Sequence, residues 1–311
     1  MSQESMSKGL ILVTAAAGGR QGQTGRHVSE MLLARGVPVR ALVRTADARS
    51  ERLAKLGAEI FVGDFLDIGS MQRAVSGVSS VYFAYPVQAG LLDATAIMAV
   101  AAREAKISRL VNLVMLRSSP EAPTPRMRQN YLSEQVFDWA GIGAVHLRAT
   151  VFYENLRALV RTSLAADGPI RLPWGSGNTI VPLVAAADVA RVAVQLLTQS
   201  SLPGGTAHPV IGEIMVLRDI IATFGRVLGR DVGYEEITDE AWREAAIARG
   251  LNPHAVEHLS QLWRSFRQSA FAREAFQPEL DATIKSLGGA RPTTFESFVR
   301  AEQAAFMEPA Q

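Results

Sequence analysis

The residues whose spacing suits a definite chemistry are Gly19, Gly22 and Gly25, a complete G-x-x-G-x-x-G. An apolar run, Leu10 to Val13, precedes them and is short enough to be a buried strand. A segment with Val28, Met31 and Leu32 on one helical face follows. Strand, glycine turn and helix together make a place for a dinucleotide. Glycines let the backbone approach a pyrophosphate, and the free N–H groups at the helix start direct partial positive charge at it. Turns are glycine-rich for steric reasons too, so the flanking strand and helix give the pattern its meaning. One feature is irregular. Ala15, Ala16, Ala17 and Gly18 lie between Thr14, where the strand ends, and Gly19. Either the loop is longer than usual, or Ala15 takes the place of the turn glycine and the later glycines form an inserted bulge.

Other chemistries are narrowed by what the chain contains. The 311 residues include no cysteine, which excludes disulfides, thiolate metal sites and cysteine nucleophiles. His254 and His258 have a spacing that can hold a metal, but no acidic partner is placed by the sequence, so a solvated helix face is expected and no metal site. Trp242, Trp263 and Phe266 lie on helical segments as core residues or as walls of an apolar pocket. The net charge of +2 comes without a run of Lys or Arg, so no nucleic-acid partner is expected. The uncharged stretch Ala74 to Leu92 contains Ser76, Gly77, Pro86, Gln88 and Gly90 and does not make a membrane helix. The polar start, Met1 to Gly9, lacks the apolar core of a signal peptide. These features predict a cytoplasmic protein, monomer or homodimer, acting on a small molecule.

The elements that must position these residues alternate at short intervals. Strands are expected at Pro38 to Val43, Glu59 to Val62, Ser80 to Ala84, Arg109 to Met115 and Ala144 to Arg148. Helices are expected at Ala46 to Leu56, Leu91 to Lys106 and Arg126 to Ala140. This predicts an α/β fold, a Rossmann-type doubly wound parallel sheet with a smaller, mainly helical C-terminal lobe. In the second half, Thr179 to Val184 and the helix Asp188 to Thr198 read as a return to the main sheet, with a short strand at Ala207 to Ile211. Helices follow at Val216 to Leu228, Asp239 to Arg249 and His254 to Gln268.

Five segments together resemble the NmrA-like branch of atypical short-chain dehydrogenases, including its quinone and dye reductases. They are Thr24 to Arg44 after the glycine turn; VGDFLD at Val62 to Asp67; HLRATVFYENL at His146 to Leu156; IVPLVAAADVARVAVQLL at Ile180 to Leu197; and RPTTFESFVR at Arg291 to Arg300. Ala149 stands where the family's third segment has proline. The resemblance implies an NAD(P)-binding domain of residues 1–155 plus 178–212, and a substrate-binding lobe of 156–177 plus 213–311. It implies that Gly19, Gly22 and Gly25 hold the pyrophosphate, with Arg20, Gln23 and Thr24 about the turn. Asp64 and Phe65 would flank the adenine, and Ala84, Tyr85 and Pro86 the ribose and nicotinamide. Thr150 to Asn155 would close over nicotinamide and substrate, with Phe152, Tyr153 and Asn155 as contacts.

Two positions bear on specificity and catalysis. Arg44 stands at the end of the second strand, where an NAD site usually has an acid for the ribose hydroxyls. Its planar donor fork suits a 2′-phosphate, with Arg20 and Arg49 as further candidates, so NADPH is the expected cofactor. Many short-chain dehydrogenases pair a tyrosine with a lysine four residues on. Here Tyr131 is followed by Glu134 and Gln135, and a carboxylate raises a nearby phenol's pKa. Tyr131 and Tyr153 are thus the candidate proton donors, and neither has the lysine. The reading is an NADPH-dependent oxidoreductase moving hydride to a small flat acceptor: a quinone, enone, carbonyl or azo compound. The alternative is a non-catalytic redox sensor acting through a protein partner.

Overall fold

The computed structural model describes residues 9–18, 23–199, 203–268 and 280–307. The first half builds β1 (Leu10–Val13), α1 (Thr24–Ala34), β2 (Val39–Val43), α2 (Ala48–Lys55), β3 (Glu59–Val62), α3 (Ile68–Val75) and β4 (Val78–Phe83). It continues with α4 (Leu91–Glu104), β5 (Arg109–Met115), α5 (Pro125–Ala140) and β6 (Ala144–Ala149). These strands, joined by β10 (Thr206–Val210), form one sheet in the order β10-β6-β5-β4-β1-β2-β3. Every neighbouring pair is parallel. The Rossmann-type α/β fold is thereby established.

A sheet covered on both faces explains why its strands read as continuous apolar runs. Side chains alternate across the pleat. Ile11 and Val13 face a core with Val28 and Leu32 of α1, while Leu12 faces Met71, Met98 and Phe137 on the other side. Capping residues set the helix starts. Asp47 accepts from the N–H groups of Arg49 and Ser50 at α2, and Thr124 accepts from that of Met127 at α5, where Pro125 occupies the first turn. Asp67 accepts from Gly69 N at 2.9 Å and starts α3, a helix absent from the sequence reading.

The C-terminal lobe has its own framework. After β7 (Val151–Phe152) and α6 (Tyr153–Ala165) come β8 (Ile170–Leu172), β9 (Ile180–Val184), α7 (Ala186–Thr198) and β11 (Glu213–Val216). Then follow α8 (Leu217–Leu228), β12 (Tyr234–Glu236), α9 (Asp239–Ala248) and α10 (Pro253–Arg267), with short helices at Ala282–Ser286, Phe295–Ala301 and Gln303–Met307. β9 does not return to the main sheet as expected. It is the centre of a small sheet between β11 and β7, whereas α7 packs on the main sheet against α1. Trp242, Trp263 and Phe266 are core of this lobe, Trp242 meeting Trp263 edge to face at 6.3 Å.

Two carboxylates tie the C-terminal segment into the fold. Asp188, wholly buried in the first turn of α7, accepts from Thr293 N at 2.7 Å, Thr293 Oγ1 at 2.8 Å and Arg191 Nη1 at 2.8 Å. Glu213 accepts from Tyr153 Oη at 2.7 Å and from the N–H of Phe295. Replacing one partner of a buried, hydrogen-bonded charge pair costs about 3–5 kcal/mol. Asp188→Ala is expected to lose that much in urea unfolding; a loss below about 1 kcal/mol, the range of exposed pairs, would show that the clamp is not a main support.

Candidate active site

Parallel strands send all their outgoing loops to one edge of the sheet. β1 connects onward to β2 on one side and β4 to β5 on the other, so the chain parts between β1 and β4 and leaves a crevice there. Thr14, buried at the end of β1, bridges the gap: its Oγ1 donates to Ala84 O at 3.1 Å and accepts from Ala84 N at 2.8 Å.

The glycine loop resolves in favour of one of its two readings at its start. Ala15 has a φ of 51°, the left-handed region where a turn glycine ordinarily sits, and Gly18 N bonds Ala15 O at 3.1 Å. Gly19, Arg20 and Gly22 lie outside the described residues. Gly25 is in the first turn of α1, and a Cβ there would stand 2.6 Å from both Thr14 O and Ala15 O. Only glycine allows that approach of helix to strand, which aims the unpaired N–H groups of α1 at the crevice. Gln23 is the N-cap residue, its Oε1 engaged by Arg26, and Thr24 is buried beside it. These features fit a dinucleotide: Gln23, Thr24 and Gly25 would hold its pyrophosphate.

Around this centre the candidate residues fall into place unevenly. Arg44 is exposed just after β2. Arg49 reaches the loop itself, with Nη1 on Gly18 O at 2.9 Å and Nε on Asp47 Oδ2 at 3.0 Å. Asp64 closes a turn by accepting from Leu66 N at 2.9 Å. Phe65 meets Tyr85 edge to face at 5.2 Å, and Tyr85 Oη donates to Ala89 O at 2.8 Å. Ala84, Tyr85 and Pro86 form the exit of β4 at the crevice. Thr150, at the end of β6, has a buried Oγ1 with no partner.

The two tyrosines differ. Tyr153 is wholly buried, with Phe295 and Phe298 each 5.3 Å from its ring and its hydroxyl committed to Glu213. Burial first, then the Glu213 carboxylate, pushes its pKa up. It packs the lobe and is not open to substrate, which corrects its assignment as proton donor or contact. Tyr131 is half-buried. Glu134 forms a two-pronged pair with Arg148 of β6, at 2.9 and 2.7 Å, so the carboxylate expected to oppose Tyr131 is engaged by a cation. Phe152 packs against the sheet core, and Asn155 is half-buried on α6.

The histidine pair also divides. His254 is exposed, but His258 is buried against the α5 cap with Nδ1 3.0 Å from Thr124 Oγ1. Burial, then the Arg126 charge, lowers its pKa to about 3. The expected solvated face is therefore wrong for His258. Among the described residues no group of three His, Asp or Glu is placed to hold a metal ion, and no helix is long and apolar enough to cross a membrane. Thr14 and Arg126 were missed in the sequence. A threonine closing a strand and an arginine after a helix-starting proline carry no pattern of their own.

The profile of the NmrA-like family matches residues 7–299. An NAD(P)H azoreductase of Xenophilus azovorans is 26% identical over 93% of this chain and 97% of its own. A (4-alkanoyl-5-oxo-2,5-dihydrofuran-3-yl)methyl phosphate reductase of Streptomyces griseus is 32% identical, over 91% of this chain and 95% of its own. In fold, the chain superposes on the NADPH complex of an Escherichia coli quinone oxidoreductase with a TM-score of 0.77, 20% identity, and coverage of 94% and 99%. The chain belongs to the NmrA-like family.

Glu154 gives the site region a pH dependence. Both its oxygens accept from Ala186 N at 3.2 Å, and burial pushes its carboxyl up from 4.5 to about 7. The folded chain thus holds this proton more tightly than the unfolded chain. Its stabilisation is full below pH 4.5 and lost as pH rises to about 7. Unfolding free energy is expected to fall across this window by on the order of 3 kcal/mol, and Glu154→Gln to flatten the fall. Identical pH profiles for both proteins would assign the effect elsewhere.

Proposed function

We propose that this member of the NmrA-like family is an NADPH-dependent reductase that passes hydride to a small flat acceptor, a quinone, enone, carbonyl or azo compound. The observation that carries the reading is the crevice between β1 and β4, with Gly25 set against Thr14 and Ala15. The names of relatives matched over nearly their whole length, an azoreductase and a reductase of an unsaturated lactone, support the reaction class.

NADPH over NADH follows from charge at the end of β2. Arg44 is exposed there, and Arg49 lies against the glycine loop. The acid in the same loop, Asp47, is held by Arg49 and by the α2 cap, so it is not free to take ribose hydroxyls. The two guanidinium groups would take the 2′-phosphate. When bound, the cofactor supplies the hydride. The chain's own part is to orient the acceptor against it. Thr150 Oγ1, unpaired beside the end of β6, is the hydroxyl available to a polar group of nicotinamide or acceptor. A quinone-type acceptor takes its proton from solvent, which suits a site with Gln135 in place of the lysine partner of Tyr131.

The test is steady-state oxidation of NADPH against a panel of quinones, enones and azo dyes. Turnover with at least one class is expected. A wild type that binds NADPH but is inert across the panel would favour the sensor instead. Charge-assisted hydrogen bonds contribute roughly 1.5–3 kcal/mol, so Arg44→Ala and Arg49→Ala together should weaken NADPH about tenfold or more and leave NADH nearly unchanged. Equal losses for both cofactors, read by calorimetry, would remove these residues from the phosphate.

A further inference from the structure

Arg126 is the second residue of α5, yet its guanidinium leaves that helix for the chain emerging from β4. Nη2 donates to Tyr85 O at 3.0 Å and to Pro86 O at 2.7 Å, and Nη1 donates to Gln88 O at 3.2 Å. The guanidinium carbon lies 5.7 Å from the centre of the Tyr85 ring. The residue is only 6% exposed, and its Nε is buried with no partner. Three carbonyl dipoles accept from it but cancel no charge.

No carboxylate among the described residues pairs with it. This sets it apart from Arg148, which has Glu134, and from Arg267, which has Asp239. The groups packed nearby do not make up the difference. His258 is neutral, and on the same helix Glu257 is engaged by Arg243 at 2.6 Å. Tyr85 contributes a ring face and keeps its hydroxyl on Ala89. The N-terminus of α5 adds partial charge of the same sign. Among the described residues the exit of β4 thus holds a net buried positive charge, in a medium where charge acts over a longer range than in water.

We propose that Arg126 sets the charge of the nicotinamide end of the crevice, so that the chain holds the cofactor with its neutral, reduced ring more tightly than the one with the oxidised, cationic ring. The inference rests on the reading of that crevice as the cofactor site. A nicotinamide ring that gives up hydride gains one positive charge. A fixed like charge penalises that form alone, and the reduced ring, being neutral, feels little of it. The residue is therefore placed to favour loading with NADPH and release of NADP⁺.

Calorimetry with NADPH, NADP⁺ and 2′-phospho-ADP-ribose, which lacks the nicotinamide, tests this in the wild type, Arg126→Lys and Arg126→Met. The wild type is expected to bind NADPH about tenfold more tightly than NADP⁺ or better. Arg126→Lys, which keeps the charge, should retain the ratio. Arg126→Met should bring it to within about twofold, with 2′-phospho-ADP-ribose binding equally to all three. A loop-supporting role alone would weaken both cofactor forms together and keep the ratio, which overturns the proposal. Should Arg126→Met fail to fold in a thermal melt, Arg126→Gln, which removes the charge but keeps an N–H donor for the carbonyl oxygens, makes the same comparison. Equal affinity for both forms in the wild type overturns this inference alone. A wild type that binds neither form overturns the reductase reading with it.

Discussion

The close approach of α1 to β1 is the contact on which the site depends. With Gly25 set against the carbonyl oxygens of Thr14 and Ala15, the helix start lies over the end of the strand instead of beside it. Any side chain at that position would push the helix out and swing its free N–H groups away from the crevice. The strained partner is Ala15, held at a φ of 51°. A non-glycine residue in that region costs roughly 1 kcal/mol or more, and the buried Thr14 side chain, bonded twice to Ala84, is what holds the turn in place. The two strands that flank the crevice are thus joined by a hydroxyl, not only by their ladder.

The segments that carry the family resemblance do less chemistry than their specificity suggests. Asp64 and Asp67 of the second segment close a turn and cap α3. Tyr153, Asp188, Thr293 and Phe295 come from three different segments and are joined in one hydrogen-bonded group, Glu213 linking Tyr153 to Phe295 and Thr293 linking Tyr153 to Asp188. Buried polar groups of this kind must be paired completely or not at all, since each orphan costs its full desolvation. A change at one member is then punished at the others. That is a physical reason for such motifs to travel together without any of them touching a substrate.

This also explains what the sequence made legible. Apolar runs and helical spacing located the strands of the main sheet from β1 to β6 and the long helices, because those elements are specified by local periodicity. Periodicity says nothing of which strand a run will pair with, so Thr179 to Val184 was expected in the wrong sheet. The helix Ile68–Val75 was missed because its start depends on the Asp67 side chain and its length is two turns. His258 and Tyr153 were misread for a common reason. A titratable residue on a helix looks alike in sequence whether its neighbour across the fold is water or Thr124, Glu213 and Phe295. Arg126 had no signal at all, since its partners lie 38–41 residues away.

The cations around the crevice divide by burial, and with it by what they govern. Arg44 and Arg49 are exposed, so their attraction for a phosphate is felt by an approaching ligand and is screened over about 8–10 Å at ordinary ionic strength. They suit recruitment and the choice between two cofactors that differ by a phosphate. Arg126 is shielded from counterions by the chain itself, and its effect is confined to groups beside the exit of β4. Salt would therefore act on the surface around Arg44 and Arg49 far more than on the exit of β4. On the proposed reading, affinity and redox preference would be separable properties of one crevice, set by different residues under different screening.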